Sequence, residues 1–395
     1  MNEQGLTFLG FFSPTGEVDR MIVHQFDAAA ASPGGIDTCI RGLASYANER
    51  TIAIAGVDTG RGPAGRKIGQ WEKYTNGSNE VFFIPVTALD PAILAPRRVP
   101  HSIKLSAGLI RFRRHMPQAK VCQTHRADIA NVVHLLFRGT KVYFIHTQRN
   151  GIASDQSDSF WTAAAAAHRR LETIAIKRAA QVIVFNEEYA HEVRAKNANT
   201  TFYPTWFDPK IIRPRAEDAD EHGIVWVGRL ENPKDPILAI RAFDELARKD
   251  SGKPWRLVVV GGGSLAASVQ EEVGRLALDV RDRITVAGRL APSDVGVVLA
   301  NASVFLMTSH PGYEGYPRVL VEAMAAGLVP VVTEGSDTGG LISHGKTGFV
   351  TNRVPRVIAE SLASAGSVNI EHVKDAVREH SAPAIVSAIF DTTSK

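Results

Sequence analysis

The sequence predicts an α/β protein made of two doubly wound, parallel-sheet domains. Short β-rich runs alternate with helical patterns along the whole chain, the signature of parallel α/β architecture. At 395 residues the chain is long for one compact domain. A segment rich in proline and charge, FYPTWFDPKIIRPRAEDADEHG, separates two strongly patterned halves. The expected layout is a first domain over 1–205, a second over 206–370, and a segment over 371–395 that crosses back to the first.

In the first half TIAIAG, VFFIPV, VCQTH, VYFIHT and VIVFN read as buried strands, with helices over Thr38–Asn48 and Trp161–Arg178 between some of them. The second half is sharper: IVWVGR, LVVVGG, ITVAGR, VFLMTS and VPVVTE are strands, and Ile237–Lys249 is a helix. Two Rossmann-like domains facing one cleft would bind ligands at the carboxyl ends of their strands.

Composition excludes several classes. With 44% hydrophobic and 22% charged residues the chain has ample core and is not a disordered tract. No stretch approaches the roughly 20 unbroken apolar residues that span a bilayer. The N-terminus carries an acidic residue and no basic n-region, so a secretory signal is not expected. Cys39 and Cys122 are too few for a disulfide framework or a metal cluster, which points to a reducing cytoplasm without structural zinc.

Net charge is only +4, but Pro91–Ala127 holds no Asp or Glu and eight cations: Arg97, Arg98, Lys104, Arg111, Arg113, Arg114, Lys120 and Arg126. Within it Ser102–His115 reads as a helix, with Ile103, Leu105, Leu109, Ile110 and Phe112 as core candidates. The Arg97–Arg126 region is either a solvated face or a basic surface for a phosphorylated acceptor or for anionic lipid at the inner face of the plasma membrane. No recognition motif accompanies the charge, so nucleic acid is not an expected partner.

Chemistry-bearing residues collect where strands end. Gly228-Arg229 closes one strand with Lys234 shortly after, a fork and a point charge suited to a diphosphate. Gly261 to Gly263 close the next and let backbone approach a ligand. Gly288-Arg289 close a third, followed by Leu290. The fourth leads into HPGYEGYPRVLVEAMAAGLVPVV, where Glu314 and Glu322 flank Pro317, read as the first residue of a helix. Eight helical steps would separate the carboxylates by about 12 Å. Backbone N–H groups from Gly315 to Arg318 would meet an anion at the positive helix end. A long polar ligand with a phosphate between its ends fits that arrangement, as does an ordinary surface helix. GGGSL lacks the G-x-G-x-x-G spacing, and ITVAGR ends in arginine instead of an acid, which argues against a nicotinamide site. In the first half, Gly34-Gly35 precede a helix, and His125 and His146 follow strands. Each of these also has an ordinary structural reading.

Together these residues resemble glycosyltransferase family 4, retaining transferases of GT-B fold that use nucleotide-sugars. The resemblance is strongest from Gly223 to Val350 and rests above all on the E-x7-E pattern of Glu314 and Glu322. It implies that Arg229 and Lys234 hold the diphosphate, that Glu314 contacts donor-sugar hydroxyls, and that Glu322 binds the ribose. Gly35, Gly261, Gly263, Gly315, Tyr316, Pro317 and Arg318 would line the donor pocket, with Arg289 and Leu290 near the base. His146 would reach the donor sugar from the other domain. Thr205-Trp206-Phe207-Asp208 departs from the family's Asn-Gly-x-Asp turn, and Asn186 stands where a serine is common. No Asp-x-Asp motif stands at a strand end, so a metal-independent reaction is expected. The implied activity is transfer of a hexose from GDP-mannose or a UDP-hexose to a hydroxyl of a glycan, lipid-linked or small-molecule acceptor. The alternatives are a GT-B epimerase, which needs no acceptor, and a non-catalytic sugar-nucleotide-binding or membrane-surface protein.

Overall fold

The computed structural model describes residues 6–30, 35–76, 79–89, 101–146 and 165–393. The chain divides into two compact units, one of 1–146, 160–203 and 386–395, the other of 147–159 and 204–385. The join thus falls at Tyr203/Pro204, inside the proline- and charge-rich segment. The C-terminal stretch is divided, with 371–385 in the second unit and the last ten residues in the first.

The first unit is built on nine strands: β1 (Thr7–Gly10), β2 (Val18–Val23), β3 (Ile52–Asp58), β4 (Glu72–Asn76), β5 (Asn79–Ala88), β6 (Ala119–Thr124), β7 (Thr140–Ile145), β8 (Gln181–Val184) and β9 (Thr200–Phe202). Their order is β1-β4-β5-β3-β2-β6-β7-β8-β9. From β5 to β9 every pairing is parallel, whereas β4 runs antiparallel to both β5 and β1. The expected all-parallel sheet therefore carries an antiparallel edge. Only two residues separate β4 from β5, too few for the crossover that a parallel neighbour needs.

Around this sheet lie α1 (Gly35–Ser45), α2 (His101–Phe112), α3 (Ala127–Leu136), α4 (Ala165–Arg178) and α5 (Glu187–Arg194). In α2, Leu105 and Leu109 are buried, but Ile103 and Ile110 are 57% and 53% exposed, so these two are not the core residues that the sequence pattern predicts. Helical phase explains this: Ser102, Leu105, Gly108 and Leu109 share the inward face, and the isoleucines fall outside it. Gly108 allows the close approach, because a Cβ there would lie 2.4 Å from the Val86 carbonyl oxygen.

β2 is not evident from the sequence pattern because Arg20 interrupts its apolar run. The side chain is nevertheless buried at 1% exposure. It stacks 4.5 Å over Phe390.

The second unit contains six parallel strands in the order β12-β11-β10-β13-β14-β15. They are β10 (Gly223–Val227), β11 (Arg256–Val260), β12 (Ile284–Gly288), β13 (Val304–Met307), β14 (Val329–Thr333) and β15 (Phe349–Thr351). The helices are α6 (Pro236–Lys249), α7 (Ala266–Gly274), α8 (Leu278–Arg281), α9 (Pro292–Ala300), α10 (Arg318–Ala326), α11 (Pro355–Ala363), α12 (Ile370–Asp375) and α13 (Ala382–Thr393), the last passing from this unit to the first. The chain leaves β10 towards β11 and β12, then resumes at β13 on the other side of β10. Strand order reverses there, which makes the β10/β13 crevice the natural ligand position.

A charge cluster fixes one end of the first sheet. The Arg66 guanidinium donates to Asp27 (2.9 and 3.0 Å), Asp58 (3.0 Å) and both oxygens of Glu72 (2.7 and 2.8 Å). Asp27 and Glu72 are 2% and 0% exposed, so their charges depend on this one cation. Arg66→Met would strand carboxylates out of water, and urea unfolding should show a loss of about 3–5 kcal/mol.

Candidate functional site

The site begins at the reversal of strand order in the second unit. After β10 the chain runs through Gly228, Arg229 and Leu230 to a single turn at Asn232–Lys234. Asp235 then takes a left-handed conformation (φ 45°) and caps α6, accepting from the Leu238 N–H at 3.1 Å. Positive φ is costly for a non-glycine residue, and here its surroundings hold it. The Arg353 guanidinium pairs with Asp235 and also donates to the carbonyls of Thr308 (2.7 Å) and Ser309 (2.9 Å) at the end of β13.

Thr308 locks the two strand ends together. Its buried hydroxyl accepts from the Trp226 indole at 2.9 Å and donates to the carbonyls of Lys234 (3.0 Å) and Asp235 (2.8 Å). The turn carrying Lys234 is thereby fixed against the segment carrying Glu314.

The outcome is an ion pair: Lys234 Nζ lies 2.5 Å from Glu314 Oε1, with side-chain exposures of 15% and 9%. The same oxygen accepts from Ser309 Oγ at 2.5 Å. Lys234 Nζ also sits 5.7 Å from the Tyr313 ring centroid, an electrostatically favourable position for a cation. Arg229 is more exposed. It contacts Glu231 at 3.0 Å and donates to the Tyr313 hydroxyl. Burial pushes the Tyr313 phenol above its usual range, with the nearby Arg229 opposing.

Glycine turns form the neighbouring wall. Gly261 has φ 148°, and a Cβ there would come 1.8 Å from the Gly228 carbonyl oxygen. At Gly263 a Cβ would lie 2.4 Å from the Leu230 carbonyl oxygen. The strand-end loops of β10 and β11 thus touch backbone to backbone, and only glycine permits it. Arg289, exposed at the end of β12, lies against the same turn, with Nε 2.7 Å from where a Gly262 Cβ would be. Leu290 beside it is half-buried.

At α10 the helix begins one residue later than the sequence predicts. Pro317 is the N-cap, and the helix starts at Arg318. Tyr316 and Pro317 are buried, with Tyr316 Oη 2.9 Å from His380 Nε2. Gly315, Tyr316 and Arg318 each have partners inside the protein. The Gly315 carbonyl accepts from Thr338 Oγ1 at 2.9 Å, and the Arg318 guanidinium stacks 5.4 Å over Trp206.

Glu322 is half-buried on α10. Burial pushes its carboxyl up to about 7, with Arg318 opposing the rise and Asp208 adding to it.

Arg229, Lys234, Gly261, Gly263, Arg289, Leu290, Glu314–Arg318 and Glu322 all belong to the second unit. Gly35 and His146 belong to the first, and Gly34 lies outside the described residues. Gly35 is exposed and is the first residue of α1, whereas His146 follows β7. Sequence patterning does not single out Ser309, Thr308, Asp235 or Arg353. Ser309 has a usable signal, as another strand-end residue. Arg353 has none, since it meets Asp235 across 118 positions of chain.

Residues 207–373 match the family model for glycosyl transferases, group 1. The Vi polysaccharide biosynthesis protein VipC/TviE of Salmonella typhi is 34% identical over 137 residues, 34% of this chain and 22% of that protein. The D-inositol 3-phosphate glycosyltransferase of Corynebacterium efficiens is 31% identical over 147 residues, 36% of this chain and 34% of that protein. The matched segments span less than half the length of these curated relatives. Sucrose-phosphate synthase from Thermosynechococcus elongatus superposes with a TM-score of 0.70 at 17% identity, covering 95% of this chain and 98% of that one. Anabaena Alr3699/HepE, in complex with UDP and glucose, gives a TM-score of 0.67 at 17% identity, with 95% and 99% covered. The fold is GT-B, and its second unit carries the group 1 glycosyltransferase signature.

The Glu322 environment makes stability depend on pH in a defined direction. Its folded-state value lies above its unfolded one, so the native state holds the extra proton between the ordinary carboxylate range and about 7. Native stability should therefore fall as pH rises through that window, and Glu322→Gln should remove that part of the slope in urea titrations.

Proposed function

We propose that this protein is a retaining glycosyltransferase of family 4, moving a hexose from a nucleotide-diphospho-sugar to a hydroxyl acceptor in polysaccharide or glycoconjugate synthesis. The observation that carries the reading is the Lys234–Glu314 pair at the strand-order reversal. A sugar diphosphate joins a polyol directly to an anion. A buried cation touching a carboxylate offers complementary groups at the same spacing: the ammonium for the phosphate, the carboxylate for hydroxyls. The group 1 family match over the same residues supports it.

In this reading Lys234 and Arg229 neutralise the diphosphate as the anomeric C–O bond breaks and oxocarbenium character develops. Glu314 orients the sugar through its hydroxyls, and Glu322 accepts from the ribose. Gly261 and Gly263 keep the wall free of side chains, with Gly315 to Arg318, Arg289 and Leu290 around the nucleotide. Gly35 and His146 are assigned to the donor as well, His146 by a hydrogen bond to the sugar. The acceptor oxygen attacks from the face of departure, and its proton passes to the leaving phosphate oxygen. Charge is balanced without a metal and without a covalent glycosyl-enzyme.

A thermal-shift screen of UDP- and GDP-hexoses identifies the donor, since a ligand of the native state raises apparent stability. With that donor, Glu314→Gln and Lys234→Ala should each lower kcat on the order of 10²–10³-fold while circular dichroism stays native. Full activity in both variants would overturn the assignment. Turnover of the donor to a new sugar with no acceptor present would replace transfer by epimerisation.

The acceptor is proposed to reside at an anionic membrane surface bound by α2. Among the described residues no helix is long and apolar enough to cross a membrane. Arg97 and Arg98 lie outside the described residues, and Lys120 and Arg126 are paired with Asp19 and Asp128. Lys104, Arg111, Arg113 and Arg114 are exposed beside Ile103 and Ile110, a basic face with apolar points. Sedimentation with phosphatidylserine vesicles should weaken several-fold when Arg111, Arg113 and Arg114 are replaced by Glu. Unchanged sedimentation would exclude the surface.

A further inference from the structure

The first sheet has its own reversal of strand order. The chain passes from β2 to β3 on one side and resumes at β6 on the other. His24 follows β2, His125 follows β6 and His146 follows β7, so adjacent strands deliver three imidazoles to one crevice.

The hydrogen bonds among their neighbours have a forced direction. Arg20, which can only donate, gives Nη1–H to Gln123 Oε1 at 2.7 Å. That orients the amide, so Gln123 Nε2 donates to His125 Nε2 at 2.8 Å. His125 must then carry its proton on Nδ1, which lies 2.7 Å from His146 Nε2 and donates to it. His146 Nε2 is therefore an acceptor, and the ring is neutral with its proton on Nδ1. Arg20, Gln123 and His125 are 1%, 0% and 5% exposed, so water does not compete for these bonds. The His146 ring is held flat by Phe185, with centroids 4.8 Å apart and an angle of 26°.

The same residues look at first like a metal site, since ligand atoms of Cys39, His125 and His146 lie within 4.8 Å of one another. Polarity decides against it. A metal on His125 Nδ1 would move that ring's proton to Nε2, against the amide NH2 of Gln123, which Arg20 prevents from turning. Burial, with His146, His24 and Arg20 nearby, also holds His125 well below its ordinary range, so it does not gain a second proton.

The far end of the chain of bonds is tied to α13. Arg20 donates through Nη2 to Thr393 Oγ1 and stacks on Phe390. We propose that Arg20, Gln123 and His125 form a positioning relay, anchored by α13, that holds His146 neutral in the Nδ1–H tautomer. These are positioning residues. The use of that tautomer rests on the assignment of His146 to the donor sugar.

Gln123→Glu tests the relay with little change in shape. A carboxylate accepts from Arg20 and also from His125, so His125 must carry a proton on Nε2, and while that ring stays neutral its Nδ1 becomes an acceptor. His146 then answers with a proton on Nε2. Two-bond proton–nitrogen correlation spectra of histidine-labelled protein report each ring nitrogen directly, with His125→Gln and His146→Gln assigning the peaks. The wild type should show both rings protonated at Nδ1, and the variant should show His146 protonated at Nε2. A wild-type His146 already protonated at Nε2, or a variant in which His125 Nε2 stays unprotonated, overturns the relay, as does an unchanged His146 beside a neutral, Nε2-protonated His125. Should Gln123→Glu not fold, Gln123→Met removes the direction, and an Nε2–H population of His146 must appear; its absence counts against the proposal in the same way. Transfer assays separate the two readings. A tautomer change with kcat lowered on the order of tenfold supports both, as expected for one lost hydrogen bond. A tautomer change with unaltered kcat leaves the relay standing and removes His146 from the reaction.

Discussion

The contact between Lys234 and Glu314 is the interaction on which the second unit is organised. Two opposite charges at 2.5 Å, mostly shielded from water, compensate each other's desolvation. Their alignment needs the turn after β10 and the segment after β13 to hold a fixed spacing. Thr308 supplies one clasp and the Arg353–Asp235 pair another, and the left-handed backbone at Asp235 exists because both clasps hold it. Side chains outside the pair thus set the position of its two charges.

The two units solve the same topological problem with different chemistry. Each sheet brings strand-end side chains together where its order reverses. In the second the groups are ionic, with neighbouring hydroxyls and guanidinium completing their bonds. In the first they are neutral imidazoles whose protons are placed by hydrogen-bond direction. Low dielectric favours each in its own way: it strengthens a matched ion pair, and it penalises a second proton on a crowded ring. Arg66 with Asp27, Glu72 and Asp58 shows a third arrangement, in which one cation serves several carboxylates.

Much of this architecture is legible in the amino-acid sequence. Short apolar runs mark the second sheet, three of them closed by Gly-Arg or Gly-Gly, and the runs at β13 and β14 are buried throughout with no polar alternation to blur them. Lys234 and Glu314 can be singled out by their positions after strands, although their direct contact cannot. What stays hidden has a physical cause. β2 is masked by Arg20, whose burial is compensated by Gln123 and Thr393 at distant positions. The exposed faces of Ile103 and Ile110 depend on helical phase against a sheet, which composition does not carry. The side-chain partners of the entry turn to α10 are hidden for another reason, their distance along the chain: Tyr316 meets His380 across 64 positions.

The passage of α13 from the second unit to the first has a consequence for synthesis on the ribosome. The first sheet and its helices emerge early, but Phe390 and Thr393, which cover Arg20, emerge only after the whole of the second unit. Until then the nascent first domain has an unclosed face with a buried-to-be guanidinium open to water. Its maturation is therefore coupled to completion of the second domain, through which the chain must first pass. Vectorial synthesis makes this a protein whose earliest domain is among the last to finish folding.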